Sequence, residues 1–128
     1  MPKINRYVDI SQVDKEAKKD YIDRHSPFVH CGNTAKKGDK FSVKVQVGNE
    51  YKHPDDPDHY IGYVQLWDGD TFMGQANFTP GHLGHAPGQT EVDFQIVPTK
   101  SKLQLTAMSY CTKHGLWESD PVEVAVTD

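Results

Sequence analysis

The sequence predicts an all-β protein: an antiparallel β-sandwich with a short N-terminal helix. Three observations predict it. After Lys40 the apolar residues recur at every second position, the period of a half-buried strand. About six or seven such runs follow one another, divided by short turns, as in a two-sheet sandwich. Helical spacing is confined to one stretch before Pro27.

Taken in chain order, the helix comes first. Ser11 and Asp14 have capping-box spacing, and Val13, Ala17 and Tyr21 recur at four-residue steps. The helix should end before Pro27, because proline pushes the preceding residue out of the helical region. In FSVKVQV (41–47), Phe41, Val43, Val45 and Val47 alternate with Ser42, Lys44 and Gln46. HYIGYVQLW (59–67) is rich in aromatic and β-branched residues. TFMGQANFT (71–79) follows the turn-like Asp68, Gly69 and Asp70, so the two runs read as a hairpin. EVDFQIV (91–97) sets Val92, Phe94 and Ile96 on one face. KLQLTAMSY (102–110) does the same with Leu103, Leu105 and Ala107, and VEVAV (122–126) alternates cleanly. Residues 79–90, TPGHLGHAPGQT, read as a long loop. The expected organisation is one domain over 1–128, with the helix and a loop in 1–40 and the sandwich in 41–128.

Composition narrows the function. Of 128 residues, 36% are apolar, and mean hydropathy is −0.70. No apolar run approaches the roughly 20 residues of a membrane span. The opening MPKINRYVDISQ lacks the apolar core of a signal peptide, so a cytoplasmic location without membrane association is expected. Fourteen Lys and Arg against 18 Asp and Glu give a net charge of −4, which argues against a nucleic-acid partner. Two cysteines permit at most one disulfide and exclude a four-cysteine metal module. Seven histidines are many for this length, and their placement is informative.

Three segments concentrate metal-capable side chains: Asp23-Arg24-His25-Ser26-Pro27, His53 to His59, and Cys111 to Glu118. Each lies in a loop or at a strand edge, where a sandwich carries its functional groups. Cys111 and His114 are close enough for one tight turn to present both to an ion, with Gly115 letting the chain bend away. His53 and His59 bracket a stiff loop that contains Pro54 and Pro57. Each pair alone is weak evidence, since a His pair in a polar loop is more often surface decoration.

Taken together, the segments resemble the superoxide reductases, the family of the neelaredoxins and the catalytic domain of desulfoferrodoxin. Asp23 to Pro27 is similar to the family's Glu-Lys-His-x-Pro. His53, Pro54, His59 and Ile61 match its His-Pro-x4-His-x-Ile, and SYCTKHGLWES (109–119) is close to its C-terminal signature. The resemblance runs from about Tyr21 to Val126. It implies an immunoglobulin-like sandwich and one non-haem iron, with His25, His53, His59 and His114 as equatorial ligands and Cys111 axial. Four imidazoles and a thiolate suit iron, whereas structural zinc stops at four ligands. The implied reaction is reduction of superoxide by one electron to hydrogen peroxide at the open position opposite the sulfur. A small rubredoxin-like protein would be the electron donor, and a homo-oligomer, a homotetramer in this class, the assembly. With two cysteines, the chain is not expected to carry desulfoferrodoxin's additional four-cysteine iron domain.

Two catalytic residues are carried over. Asp23 stands at the family's Glu, which can take the open position of the oxidised iron. Aspartate is one methylene shorter, which leaves that position to Asp23 or to water or hydroxide. Arg24 stands at the family's Lys. It keeps the positive charge that attracts superoxide, but with a pKa above about 12 it is a poor proton source. Its expected role is to steer the anion and order water. Asp55, Asp56 and Asp58 are expected near the mouth, where they would repel superoxide. Backbone N–H groups after Cys111 are expected to donate to its sulfur, and Trp117 and Pro54 to pack beside the imidazoles. Cys31 is expected to be a structural thiol, and His30, His82 and His85 to lie outside the site. The competing readings are a non-catalytic iron electron-transfer or metal-carrying protein, a zinc-stabilised interaction module, and a dismutase.

Overall fold

A computed structural model describes residues 3–128. Among them the strands are β1 (Ile4–Arg6), β2 (Pro27–His30), β3 (Thr34–Lys36), β4 (Phe41–Val47), β5 (Ile61–Asp68), β6 (Thr71–Asn77), β7 (Glu91–Ile96), β8 (Lys102–Cys111), β9 (Gly115–Glu118) and β10 (Val122–Thr127). A 3-10 turn (Ile10–Gln12) and the helix α1 (Glu16–His25) lie between β1 and β2.

The strands form two sheets, β2-β4-β7 and a larger one built on β8. β5 lies antiparallel along one side of β8 and carries the hairpin partner β6. On the other side β10 pairs with the first half of β8 and β9 with the second half. β1 and β3 add parallel strands outside β9 and β10. The result is an immunoglobulin-like sandwich, as expected.

Strict alternation builds the core. Val43, Val45 and Val47 of β4 face Val64 and Leu66 of β5 and Leu103, Leu105 and Ala107 of β8, all almost completely buried. Burying each such aliphatic side chain contributes about 1.5–3 kcal/mol. The inward stripe of β8 continues through Ser109 to Cys111, so the cysteine is the last core-facing residue of the central strand. The hairpin turns at Gly69, whose φ of 57° is the left-handed conformation such turns require.

The segment before Lys40 holds more than a helix and a loop: it also contributes β1, β2 and β3. These strands have three or four residues each, too few to display a period of two. The capping box at Ser11 and Asp14 does not form. Asp9 takes the N–H of Ser11 at 3.0 Å and its hydroxyl at 2.7 Å, which closes a separate turn. The chain then extends, and α1 begins at Glu16 with Lys15 as a cap that makes no side-chain bond. The predicted end before Pro27 is where the helix stops, at His25, with Ser26 as its extended cap.

Candidate metal centre

The last turn of α1 is pinned to the sandwich. Ser26 returns its hydroxyl to the Ile22 carbonyl at 2.6 Å, and the Ser109 hydroxyl of β8 donates to the His25 carbonyl at 2.8 Å. This places the His25 ring over the end of β8. His53 is fixed by paired backbone bonds with Gly88, 2.8 and 3.0 Å. His59 follows a turn closed by mutual bonds with Asp56, both 3.0 Å. Thr112 receives the Tyr60 N–H on its hydroxyl at 3.2 Å and donates its own N–H to the Tyr60 carbonyl at 3.0 Å. The His59 loop is thereby tied to the turn that runs from Cys111 to His114. Gly115, with φ of 84°, reverses that turn into β9.

The four imidazoles make a closed ring. Neighbouring centroids are 4.9 Å apart for His25–His53, 4.7 Å for His53–His59, 4.9 Å for His59–His114 and 4.8 Å for His114–His25. Neighbouring planes stand at 73–83° to one another, while the opposite pair His25 and His59 is nearly parallel at 22°. Donor atoms of His25, His59, Cys111 and His114 lie within 4.8 Å of one another; His53 stands outside that mutual group, with its Nε2 3.3 Å from Cys111 Sγ.

The outward nitrogens determine which inward ones are free. His25 Nδ1 donates to the Tyr21 carbonyl at 2.6 Å and His53 Nδ1 to the Pro54 carbonyl at 2.7 Å. Each bond leaves the Nε2 lone pair for a metal, the usual arrangement behind a ligating histidine. His59 Nε2 is buried without a hydrogen-bond partner among the described residues. His114 turns the other nitrogen inward: its Nδ1 is 3.1 Å from His25 Nε2 and 3.8 Å from Sγ. A buried orphan nitrogen costs free energy in a metal-free protein and none once it is coordinated. The donor set therefore fits a metal ion.

The electrostatics agree. Burial holds the His25 pKa down to about 3 and that of His53 to about 4, so both rings are neutral and able to ligate at neutral pH. His59 and His114 shift the same way, first by burial and then by nearby positive charge that includes Arg24 and Lys113. Burial pushes the Cys111 thiol up, opposed by the backbone N–H groups of Lys113 and His114 and by the same two charges. The His114 N–H reaches the sulfur at 3.4 Å. These are the expected donors, and they would stabilise a thiolate bound to a metal. Cys111, His25 and His53 are completely covered, while His59 and His114 are partly exposed.

Trp117 packs as expected. Its indole stacks on His25 at 5.2 Å and 17°, and its N–H reaches the His114 carbonyl at 3.3 Å. Tyr21 is a partner the sequence reading missed as part of the site. Its ring lies edge-on to His114 and Trp117, at 5.2 and 5.3 Å, and 4.8 Å from His25. Four-residue spacing marked it as helix core, and nothing in that spacing distinguishes a core tyrosine from a ligand's neighbour.

Arg24 is partly buried beside the ring. Its Nη1 is 3.5 Å from Asp20, and its buried Nε lacks a partner among the described residues. Asp23 is buried, and its Oδ2 accepts the N–H groups of Asn49, Glu50 and Tyr51 at 3.0, 2.9 and 2.8 Å. Asp55 requires a correction. It does not line the mouth but is buried, accepting the N–H groups of Gly81, Leu83 and His85 at 3.0, 2.8 and 3.0 Å. Asp56 and Asp58 are exposed. His30 and His85 are exposed outside the cluster. His82 also lies outside the cluster and is half-buried: it stacks on Phe78 and bonds Thr90 Oγ1 at 2.7 Å. Cys31 is a free, half-buried thiol against the core.

Comparison with known proteins places this geometry. The desulfoferrodoxin family model matches residues 12–120. A superoxide reductase of Pyrococcus furiosus is 34% identical over 110 residues, covering 77% of this chain and 86% of that protein. The neelaredoxin of Megalodesulfovibrio gigas is 32% identical over 111 residues, covering 76% and 84%. Among solved structures, the superoxide reductase (neelaredoxin) of Ignicoccus hospitalis superposes with a TM-score of 0.73 at 27% identity, covering 97% of this chain and 95% of that one. With the family model spanning all five converging side chains, the chain belongs to the desulfoferrodoxin family.

Proposed function

We propose that this protein is a superoxide reductase, an oxidoreductase that converts superoxide, one electron and two protons into hydrogen peroxide without releasing dioxygen. The observation that carries the proposal is the propeller of four neutral imidazoles beside a fully buried cysteine sulfur. His25, His53 and His59 would hold one non-haem iron through Nε2, His114 through Nδ1, and Cys111 through sulfur. Iron in this set would supply the electron, and a small rubredoxin-like donor would replace it.

The chain's own residues do the rest. Tyr21 and Pro54 hold the tautomers of His25 and His53 through their carbonyls. N–H donation from the 112–114 turn draws charge off the sulfur and tunes how strongly it donates. Trp117 and Tyr21 shield the His25 and His114 side from water. Arg24 attracts the anion and orders water near the open face, and that water, not the guanidinium, delivers protons. The assembly proposed is a homo-oligomer, a homotetramer by family likeness. The larger sheet offers it an outward groove of about 330 Å³, lined in part by Ile4, Trp67 and Met108. No helix among the described residues is long and apolar enough to cross a membrane.

The test loads the protein with iron and records the oxidised spectrum of wild type and Cys111→Ser. A sulfur-to-iron band is expected in the first and absent in the second. Superoxide consumption should then yield peroxide one-to-one. Dioxygen release at the dismutation ratio, or no turnover at all in the loaded protein, would overturn the assignment.

A further inference from the structure

We infer that Asp23 is a positioning residue that clips together the two segments carrying His25 and His53, and that it is not a ligand of the oxidised iron. The inference rests on the iron-site reading above, but its first arm below does not need iron.

Asp23 sits two residues before His25, in the last turn of α1. Its side chain points into the turn that leads to His53. Three consecutive N–H groups, those of Asn49, Glu50 and Tyr51, converge on the single oxygen Oδ2. A buried carboxylate that takes three backbone N–H groups on one oxygen is firmly held by them. Pulling that oxygen away toward a metal would break all three bonds at once. The turn is seated on the helix end by two further features. Gly48 donates its N–H to the Ser26 carbonyl at 2.9 Å. A Cβ at Gly48 would lie 2.6 Å from the Tyr51 carbonyl and 3.4 Å from Arg24 Cα, so the backbones are in direct contact. Tyr51 closes the far side by donating its hydroxyl to Glu16 at the start of α1.

The shorter acid gives this arrangement its meaning. Oδ2 of an aspartate at this point meets the N–H groups of the 49–51 turn. With that oxygen held by the turn, an iron bound at this site would take solvent or a small exogenous anion in place of Asp23. Asp23 acts through His25 and His53, by holding α1 and the 48–53 segment in one register.

Hydrogen exchange of the as-purified full chain, read by mass spectrometry over residues 48–52, tests the clip. Asp23→Ala should speed exchange there by about tenfold or more. Asp23→Asn, which keeps an acceptor oxygen at the same reach, should recover most of the protection and serves if the alanine variant does not fold. Unchanged exchange in Asp23→Ala, or exchange in Asp23→Asn as fast as in Asp23→Ala, overturns the clip. The second arm uses the iron-loaded, oxidised protein and azide. The sulfur-to-iron band and the azide affinity of Asp23→Asn should match wild type within about threefold. A shifted band with azide binding at least tenfold tighter would mean that Asp23 is a displaced ligand, and would overturn the inference. If the protein holds no iron at all, the functional proposal falls while the exchange arm still decides the clip.

Discussion

Asp55 shows how a single side chain can change meaning between sequence and fold. In the sequence it is one of three aspartates in a proline-stiffened loop, and its charge suggests a solvent-facing mouth. In the structure it is the internal anchor of the 81–85 turn. Burial works against its ionisation, but the N–H groups of Gly81, Leu83 and His85 and the nearby His82 outweigh that and hold its carboxyl below the usual range. A depressed native pKa adds stability that is complete above the unfolded value near pH 4 and disappears as pH falls through the lower native value. Asp55→Asn should therefore cost about 1–3 kcal/mol at neutral pH, from donors left poorly matched. Its melting temperature should also depend less on pH below about pH 4 than that of wild type. Thermal melts of the two proteins between acid and neutral pH check this, and parallel curves would show that Asp55 has no such role. The clustered His and Cys side chains were legible because each lies in a short motif of fixed spacing. The roles of Asp23 and Asp55 were not, because a carboxylate's partners here are backbone N–H groups more than 20 residues away.

At the scale of elements, long strands were legible and short ones were not. β4 and β8 show their period over seven and ten residues, and the hairpin of β5 and β6 carries its own turn signal at Gly69. β1, β2, β3 and β9 exist because longer neighbours offer them unpaired edges, and no local propensity announces that. The ligand-bearing segments depend on the same cross-element pairing. The junction of β4 with the 48–51 turn is close-packed, and it needs glycine. Gly48 has φ of 82°, a left-handed conformation that costs an L-residue about 1–2 kcal/mol, and its added Cβ would strike the Tyr51 carbonyl. Gly48→Ala should destabilise the protein by at least that amount and loosen iron, seen as faster metal loss to a chelator. Gly38 has φ of 84° but no atom within 4 Å of its would-be Cβ. Gly38→Ala therefore carries only the conformational cost and should leave metal loss unchanged. Equal effects of the two substitutions on metal loss would separate the turn from the site.

At the scale of the whole molecule, a net charge of −4 is the wrong sign for capturing superoxide. Capture must rely on local positive charge at the open face. Arg24 is the main candidate. Among the described residues, its charge bears on all four imidazoles and on Cys111, and that of Lys113 on part of the set. Its guanidinium is partly shielded by Asp20 at 3.5 Å, but its side chain is only about a quarter exposed, at 27%, so its field reaches the centre with less screening than a surface lysine's. At 0.1 M salt the screening length is about 10 Å, which limits Asp56 and Asp58 more than a group seated beside the ring. Arg24→Ala should lower the second-order rate with superoxide about two- to tenfold at low salt and flatten its dependence on ionic strength. Arg24→Lys should retain most of both, because steering needs the charge and not the fork of donors. Pulse radiolysis of the three iron-loaded proteins across a range of salt reads the outcome directly. A slower rate in Arg24→Ala whose salt dependence stays as steep as that of wild type would assign Arg24 to proton delivery or local order instead of steering.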